Sequence, residues 1–146
     1  YIKMIMKVNM KLCSACLLGV NCRYSGDTKP NKKVIALLKK ETLIPVCPEQ
    51  LGGLATPRDP SQIKDGRVFA IDGTDVTDAF KKGAEETLKI AKMYGITEAI
   101  LKQRSPSCGY GKVYDGTFSK TVTKGIGVTA ALLEEQGIRI QTEEDL

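Results

Sequence analysis

The 146-residue chain contains no histidine and no tryptophan. Without an imidazole there is no His-ligated metal, no His general base and no Ser-His-Asp triad, which leaves carboxylates, hydroxyls, thiols and lysines as the available chemistry. Aromatic residues amount to only 5%, and Lys and Arg are scattered rather than gathered into a stripe. Both features argue against nucleic acid as a direct partner. The net charge of +5 suits an anionic small molecule instead. No apolar run approaches the ~20 residues that span a bilayer, so no membrane partner is expected. The opening Tyr1–Lys7 is too short and too charged for a signal peptide. Five cysteines, an odd number, do not read as a secreted disulfide framework, and a reducing, cytoplasmic setting is expected.

What the sequence does have is three cysteines in one kind of place. Cys108 lies in Arg104-Ser105-Pro106-Ser107-Cys108-Gly109-Tyr110-Gly111, directly after the apolar run Ala99-Ile100-Leu101. Cys47 ends Leu43-Ile44-Pro45-Val46 and is followed by Pro48-Glu49 and Gly52-Gly53; Cys16 closes a short apolar start around Leu12–Ala15. Pro and Gly stop each apolar run, so each thiol is expected at the mouth of a strand. If the strands are parallel neighbours, the three thiols meet at one edge of one sheet. Cys13 and Cys16 have CxxC spacing, but Gly19, Asn21 and Gly26 break up the helix that a redox CxxC would open. Cys13 is therefore expected in the strand as core, and Cys22 as a bystander.

The intervening pieces alternate helix and strand. Asn31 is an N-cap for a helix over Lys32–Lys40, with Val34, Ile35, Leu37 and Leu38 on one face. Pro45 requires its strand to be an edge or bulged. Pro48–Ile63 is expected to be irregular, with one helical turn, and a loop of that length points to a site containing Glu49, Arg58 and Asp59. Asp72-Gly73 signals a hairpin between Arg67–Ile71 and Thr74–Val76. Thr77 reads as the N-cap of the longest helix and Gly95 as its C′ residue. A strand over Ile96–Lys102, a flap at Val113–Phe118, a helix over Val128–Gln136 and a strand at Ile138–Ile140 complete the plan. Glu143-Glu144-Asp145 reads as a solvated tail. The whole predicts one α/β domain over 1–146: a three-layer, Rossmann-like fold with a mostly parallel sheet and small hairpin insertions, binding ligand at the carboxyl ends of its strands.

Three thiols without histidine suit a soft metal or an iron-sulfur cluster. Zinc would need a fourth ligand, which Cys22 or Glu49 could supply; a thiol-based redox or sulfur-transfer site and plain core thiols are the remaining readings. The segments Ser14-Ala15-Cys16-Leu17-Leu18-Gly19 with Cys22-Arg23-Tyr24-Ser25-Gly26, Cys47-Pro48-Glu49 with Gly52-Gly53-Leu54 and Pro57-Arg58, and Ser105-Pro106-Ser107-Cys108-Gly109 resemble the small bacterial DUF523 family, whose characterised members are thiouracil desulfidases. The likeness runs from about Lys11 to Gly137.

The resemblance implies a [4Fe-4S] cluster held by three cysteines, here Cys16, Cys47 and Cys108, with one open iron that takes the sulfur of a thiolated pyrimidine base or nucleotide. Such a cluster would be lost in aerobic preparations. The family's catalytic glutamate falls on Glu49 and its catalytic serine on Ser105, with Ser107 as the other match. Arg23, Arg58 and Arg104, together with Ser107, are the candidates for binding base carbonyls or a phosphate. The alternatives are a non-hydrolytic cluster-bearing or sulfur-carrier accessory protein, or a structural zinc domain.

Overall fold

The computed structural model describes residues 9–146; Tyr1–Lys7, read above for a signal peptide, lies outside them. In chain order the elements are β1 (Met10–Ser14), α1 (Lys32–Ala36), β2 (Thr42–Val46), α2 (Pro48–Leu51), β3 (Ser61–Lys64), β4 (Arg67–Ala70), α3 (Thr77–Met93), β5 (Glu98–Leu101), β6 (Tyr110–Tyr114), β7 (Val122–Ile126), α4 (Val128–Glu135) and β8 (Arg139–Thr142). Short 3₁₀ turns occupy Ala15–Leu18, Leu37–Lys39 and Glu143–Asp145. The central sheet has the order β2-β1-β5-β8 and is parallel throughout, while β3-β4 and β6-β7 are separate antiparallel hairpins.

Side-chain alternation along the strands builds the layers. Leu12 and Cys13 are both fully buried but belong to different hydrophobic clusters, and so do the neighbours Ala99 and Ile100. Period-two alternation sends one residue of each pair to either face of a sheet covered on both sides. One cluster joins Leu12, Val46 and Leu101 to Ala91 of α3 and to Ala130 and Leu133 of α4. The other joins Cys13, Leu43 and Ile100 to Val34 of α1 and Leu17 of the first 3₁₀ turn. The three-layer α/β plan expected from the sequence is the one observed, and Cys13 is core. Pro45 sits on the edge strand β2, where a missing N–H costs no ladder bond to an outer neighbour.

Four local expectations are corrected. The helix after Asn31 is shorter than Lys32–Lys40: Asn31 Oδ1 does accept from Val34 N at 3.0 Å, but the chain tightens into a 3₁₀ turn after Ala36, and Ile35 and Leu38 are exposed. The strand Arg67–Ala70 pairs with Ser61–Lys64 around Asp65-Gly66, and the Asp72-Gly73 turn adds only a single bridge, Phe69 to Asp75. Asp65 and Gly66 both have positive φ, 50° and 76°, as the tight two-residue hairpin turn demands. Thr77 is inside α3 rather than capping it; its hydroxyl is buried and accepts from Val68 N at 2.9 Å, so β4 competes for the cap. The acidic tail is not free, because Asp145 accepts from Thr142 N at 2.8 Å and closes a capping box. Glu143 meets Lys102 at 3.0 Å and Glu144 meets Arg104 at 2.6 Å.

Candidate active site and metal centre

Strands β1, β2 and β5 each run out into a turn that carries one cysteine. Cys16 lies in the 3₁₀ turn after β1, Cys47 is the N-cap of α2 directly after β2, and Cys108 follows β5 in the loop to β6. The chain leaves β1 for β2 on one side and comes back to β5 on the other, so the strand order reverses at this point. That is where open α/β sheets take ligands. A cavity of about 380 Å³ lies there, lined by Cys16, Cys47 and Cys108, in the size range of small-molecule pockets. Glu49, Ser105, Arg23, Arg58 and Arg104 line the same cavity. Ser107 is not brought to it: the residue is 1% exposed, and its hydroxyl pairs with that of Thr129 at 2.8 Å.

Glu49 owes its place to a backbone contact. Pro48 starts α2 at the position where a missing N–H is harmless, and the short helix docks directly on α3. A Cβ on Gly83 would lie 1.9 Å from Pro48 O, and one on Gly52 would lie 2.1 Å from Ala79 O. Only a glycine pair permits that approach. Arg58 then fixes the carboxylate, with Nε donating to Glu49 Oε1 at 3.0 Å and the two side chains 9% and 17% exposed. Its other nitrogens donate to Ala55 O, Thr56 Oγ1 and Cys22 O. Arg58 is thus committed to the protein, whereas Arg23 pairs with Asp27 and lies over the Tyr24 ring, and Arg104 pairs with Glu144, both ion pairs being more exposed.

The Cys108 loop is held from three sides. Ser105 Oγ accepts from Ser107 N at 3.1 Å and from Cys108 N at 3.0 Å. With both lone pairs engaged, its O–H is left as a donor. Gln103 exchanges two hydrogen bonds with the Tyr110 backbone, at 2.7 and 2.8 Å, and closes the base of the loop. The first N–H groups of α4, which have no partner inside a helix, donate to loop carbonyls: Val128 N to Pro106 O at 2.9 Å and Thr129 N to Ser107 O at 2.9 Å.

Burial pushes the Cys108 thiol up to about 12, with Cys47 and Glu49 adding to the shift and the Ser14 hydroxyl opposing it. Contact with Cys22, then burial, pushes Cys47 up as well. Contact with Cys16 is the main cause that raises Cys22, to about 11. Crowded thiols of this kind lose their protons to solvent when they bind a metal, whose charge inverts their ordinary ionisation. All five cysteines are free. Among the described residues no three His, Cys, Asp or Glu side chains gather at single-ion spacing; a four-iron cluster, larger than one ion, takes its thiolates from further apart. Three soft donors on separate turns around one cavity fit such a cluster.

Several wall residues had no signal in the sequence. Ser14 and Lys102 come from strand ends, and Tyr114, Phe118 and Lys120 from the β6-β7 hairpin. Gln62 Oε1 accepts from Gly116 N and Phe118 N, tying the two hairpins together beside the cavity. Cys22, expected as a bystander, is on the wall and shares a hydrophobic cluster with Cys16, against which Cys47 packs. The tie through Gln62 depends on a contact 54 residues apart, which no local pattern announces.

A parallel α/β sheet whose strand ends bring soft thiols and a clamped carboxylate to one cavity defines a candidate metal-dependent site for a small molecule. The chain belongs to the 2-thiouracil desulfurase family, whose model matches residues 12–145. It is 41% identical to the "Uncharacterized protein YbbK" of Bacillus subtilis (strain 168), over 94% of this chain and 97% of that protein. It is also similar to a solved structure described as the [4Fe-4S]-dependent thiouracil desulfidase TudS, with a TM-score of 0.89 and 40% identity over 94% of this chain and 93% of that one.

Proposed function

We propose that this chain is a single-domain, [4Fe-4S]-dependent desulfidase that removes sulfur from a thiolated pyrimidine, as the free base 2-thiouracil or its nucleotide, in a reducing cytoplasmic setting. The observation that carries the reading is the meeting of Cys16, Cys47, Cys108 and Glu49 around one cavity from three separate strand ends. Family membership and the likeness to a solved thiouracil desulfidase support it.

Cys16, Cys47 and Cys108 would hold the cluster. When bound, a cluster with three protein thiolates supplies an open iron that acts as a Lewis acid on a C=S bond. Glu49 takes the proton from the water that attacks the thiocarbonyl carbon, held in line by Arg58. The Ser105 O–H donates a hydrogen bond to the ring or to that water. Arg23 and Arg104, in their more exposed pairs, face a carbonyl or phosphate of the substrate; Arg58 acts as a positioning residue, and Ser107 shapes the loop. Tyr114 and Phe118 on the cavity wall offer faces on which a pyrimidine can stack. The exchange consumes one water, gives the oxo base and releases sulfide, with no change of oxidation state.

Anaerobic reconstitution of single variants tests the ligand set. Iron and sulfide content should collapse in C16S, C47S and C108S and stay at the parent level in C13S. Full iron in all three ligand variants, or one equivalent of zinc and no iron in the parent, would overturn the assignment.

A further inference from the structure

Cys22 is the buried nucleophile that the proposed chemistry leaves unused. It is 2% exposed and packs in one cluster with Cys16 and Cys47. Cys47 packs against the cluster that holds Cys22, and Cys47 Sγ donates to Cys22 O at 3.6 Å, so its sulfur lies against the backbone of that residue. Cys47 is also the most exposed of the five cysteines. A reachable thiol beside a protected one is the arrangement in which a sulfenic acid condenses to a disulfide instead of climbing to sulfinic acid. Cys13, the other member of the CxxC, lies in the same cluster but donates to Ser14 O from within β1.

We propose that Cys22 is a resolving thiol that keeps the cluster-ligand set repairable by trapping oxidised Cys47 as a Cys22–Cys47 disulfide. The inference rests on the reading of Cys47 as a cluster ligand. In the cluster-free chain a peroxide oxidises the Cys47 thiol to sulfenic acid, one S–O bond forming as the O–O bond breaks and one water leaves. The Cys22 thiol then attacks that sulfur, the S–S bond forms, and a second water leaves. A dithiol reductant returns both thiols and is itself oxidised to a disulfide.

The test uses full-length cluster-free protein treated with hydrogen peroxide, mapped by peptide mass spectrometry, then reduced with dithiothreitol and offered iron and sulfide. The parent is expected to show the Cys22–Cys47 linkage and to regain its iron uptake. C22S and C22A should lose that recovery and carry sulfinate or sulfonate on Cys47. A parent with no Cys22-linked disulfide, which needs no variant to detect, overturns the proposal. So does equal recovery in parent and variants when Cys47 is reversibly oxidised in both. A linkage that forms, with iron uptake indifferent to it, would instead remove Cys47 from the ligand set and leave the disulfide chemistry standing.

Discussion

Removing Arg58 separates two roles that the sequence alone could not tell apart. The pair with Glu49 is 3.0 Å long with side chains 9% and 17% exposed, so water screens it little. Deleting one partner of such a pair leaves a carboxylate without its counter-charge and costs about 3 kcal/mol. For a chain of this size each kcal/mol lowers Tm by roughly 3 °C, so R58Q should melt about 9 °C below the parent in the cluster-free form. The kinetic effect is the sharper one. If Arg58 orients the base, kcat of the loaded enzyme falls while KM stays near the parent value; if Arg58 binds substrate, KM rises and kcat is kept. R58K, which keeps a charge but not the four-way anchor to Glu49, Cys22 O, Ala55 O and Thr56 Oγ1, should fall between the two. An R58Q protein with an unchanged Tm and a raised KM alone would refute this reasoning.

Replacing Glu49 with Gln keeps shape and removes the base: iron content should hold while turnover falls ~10²-fold or more, and unchanged turnover at full iron would take Glu49 out of the mechanism. Ser105→Ala deletes the acceptor for Ser107 N and Cys108 N, each bond contributing about 1 kcal/mol. It should therefore lower iron retention as well as activity, measured as iron per chain after gel filtration; activity lost at full iron retention would restrict Ser105 to the chemistry. Gly83→Ala would gain up to about 1 kcal/mol in an open helix. Here the added Cβ would lie 1.9 Å from Pro48 O, so the melting temperature should drop and the Cys47–Glu49 turn should lose iron; a raised melting temperature would show that α2 does not sit on α3 as described.

The sequence announced the strand ends because each apolar run gives way to a segment with a Cys and a nearby Pro or Gly, a purely local signal. It also announced that Cys13 is core, since a strand that follows its pleat leaves that residue inward. Sheet order was not legible: the reversal that brings β5 beside β1 is set by how α1 and α3 cover opposite faces, not by any residue in β5. The Gly52–Gly83 contact was hidden because Gly83 lies in mid-helix, where a glycine looks like a cost until the neighbouring backbone is seen. Glu143 and Glu144 read as a tail because their partners, Lys102, Arg104 and Lys112, are at least 32 residues away. Arg58 read as a ligand-binding cation because its carbonyl partners cannot be seen in a sequence. Ser107 matched the motif, yet its hydroxyl is buried against that of Thr129, 22 residues away.

The central claim is hydrolytic removal of sulfur by a cluster that these three cysteines hold, and anaerobic turnover of 2-thiouracil tests it most directly. Reconstituted parent protein should release sulfide and form uracil in equal amounts without added reductant, and the same preparation stripped of iron should do neither. Iron-loaded protein that converts no thiolated base or nucleotide, while keeping its cluster, would contradict the account and mark the chain as an accessory or sulfur-carrier protein.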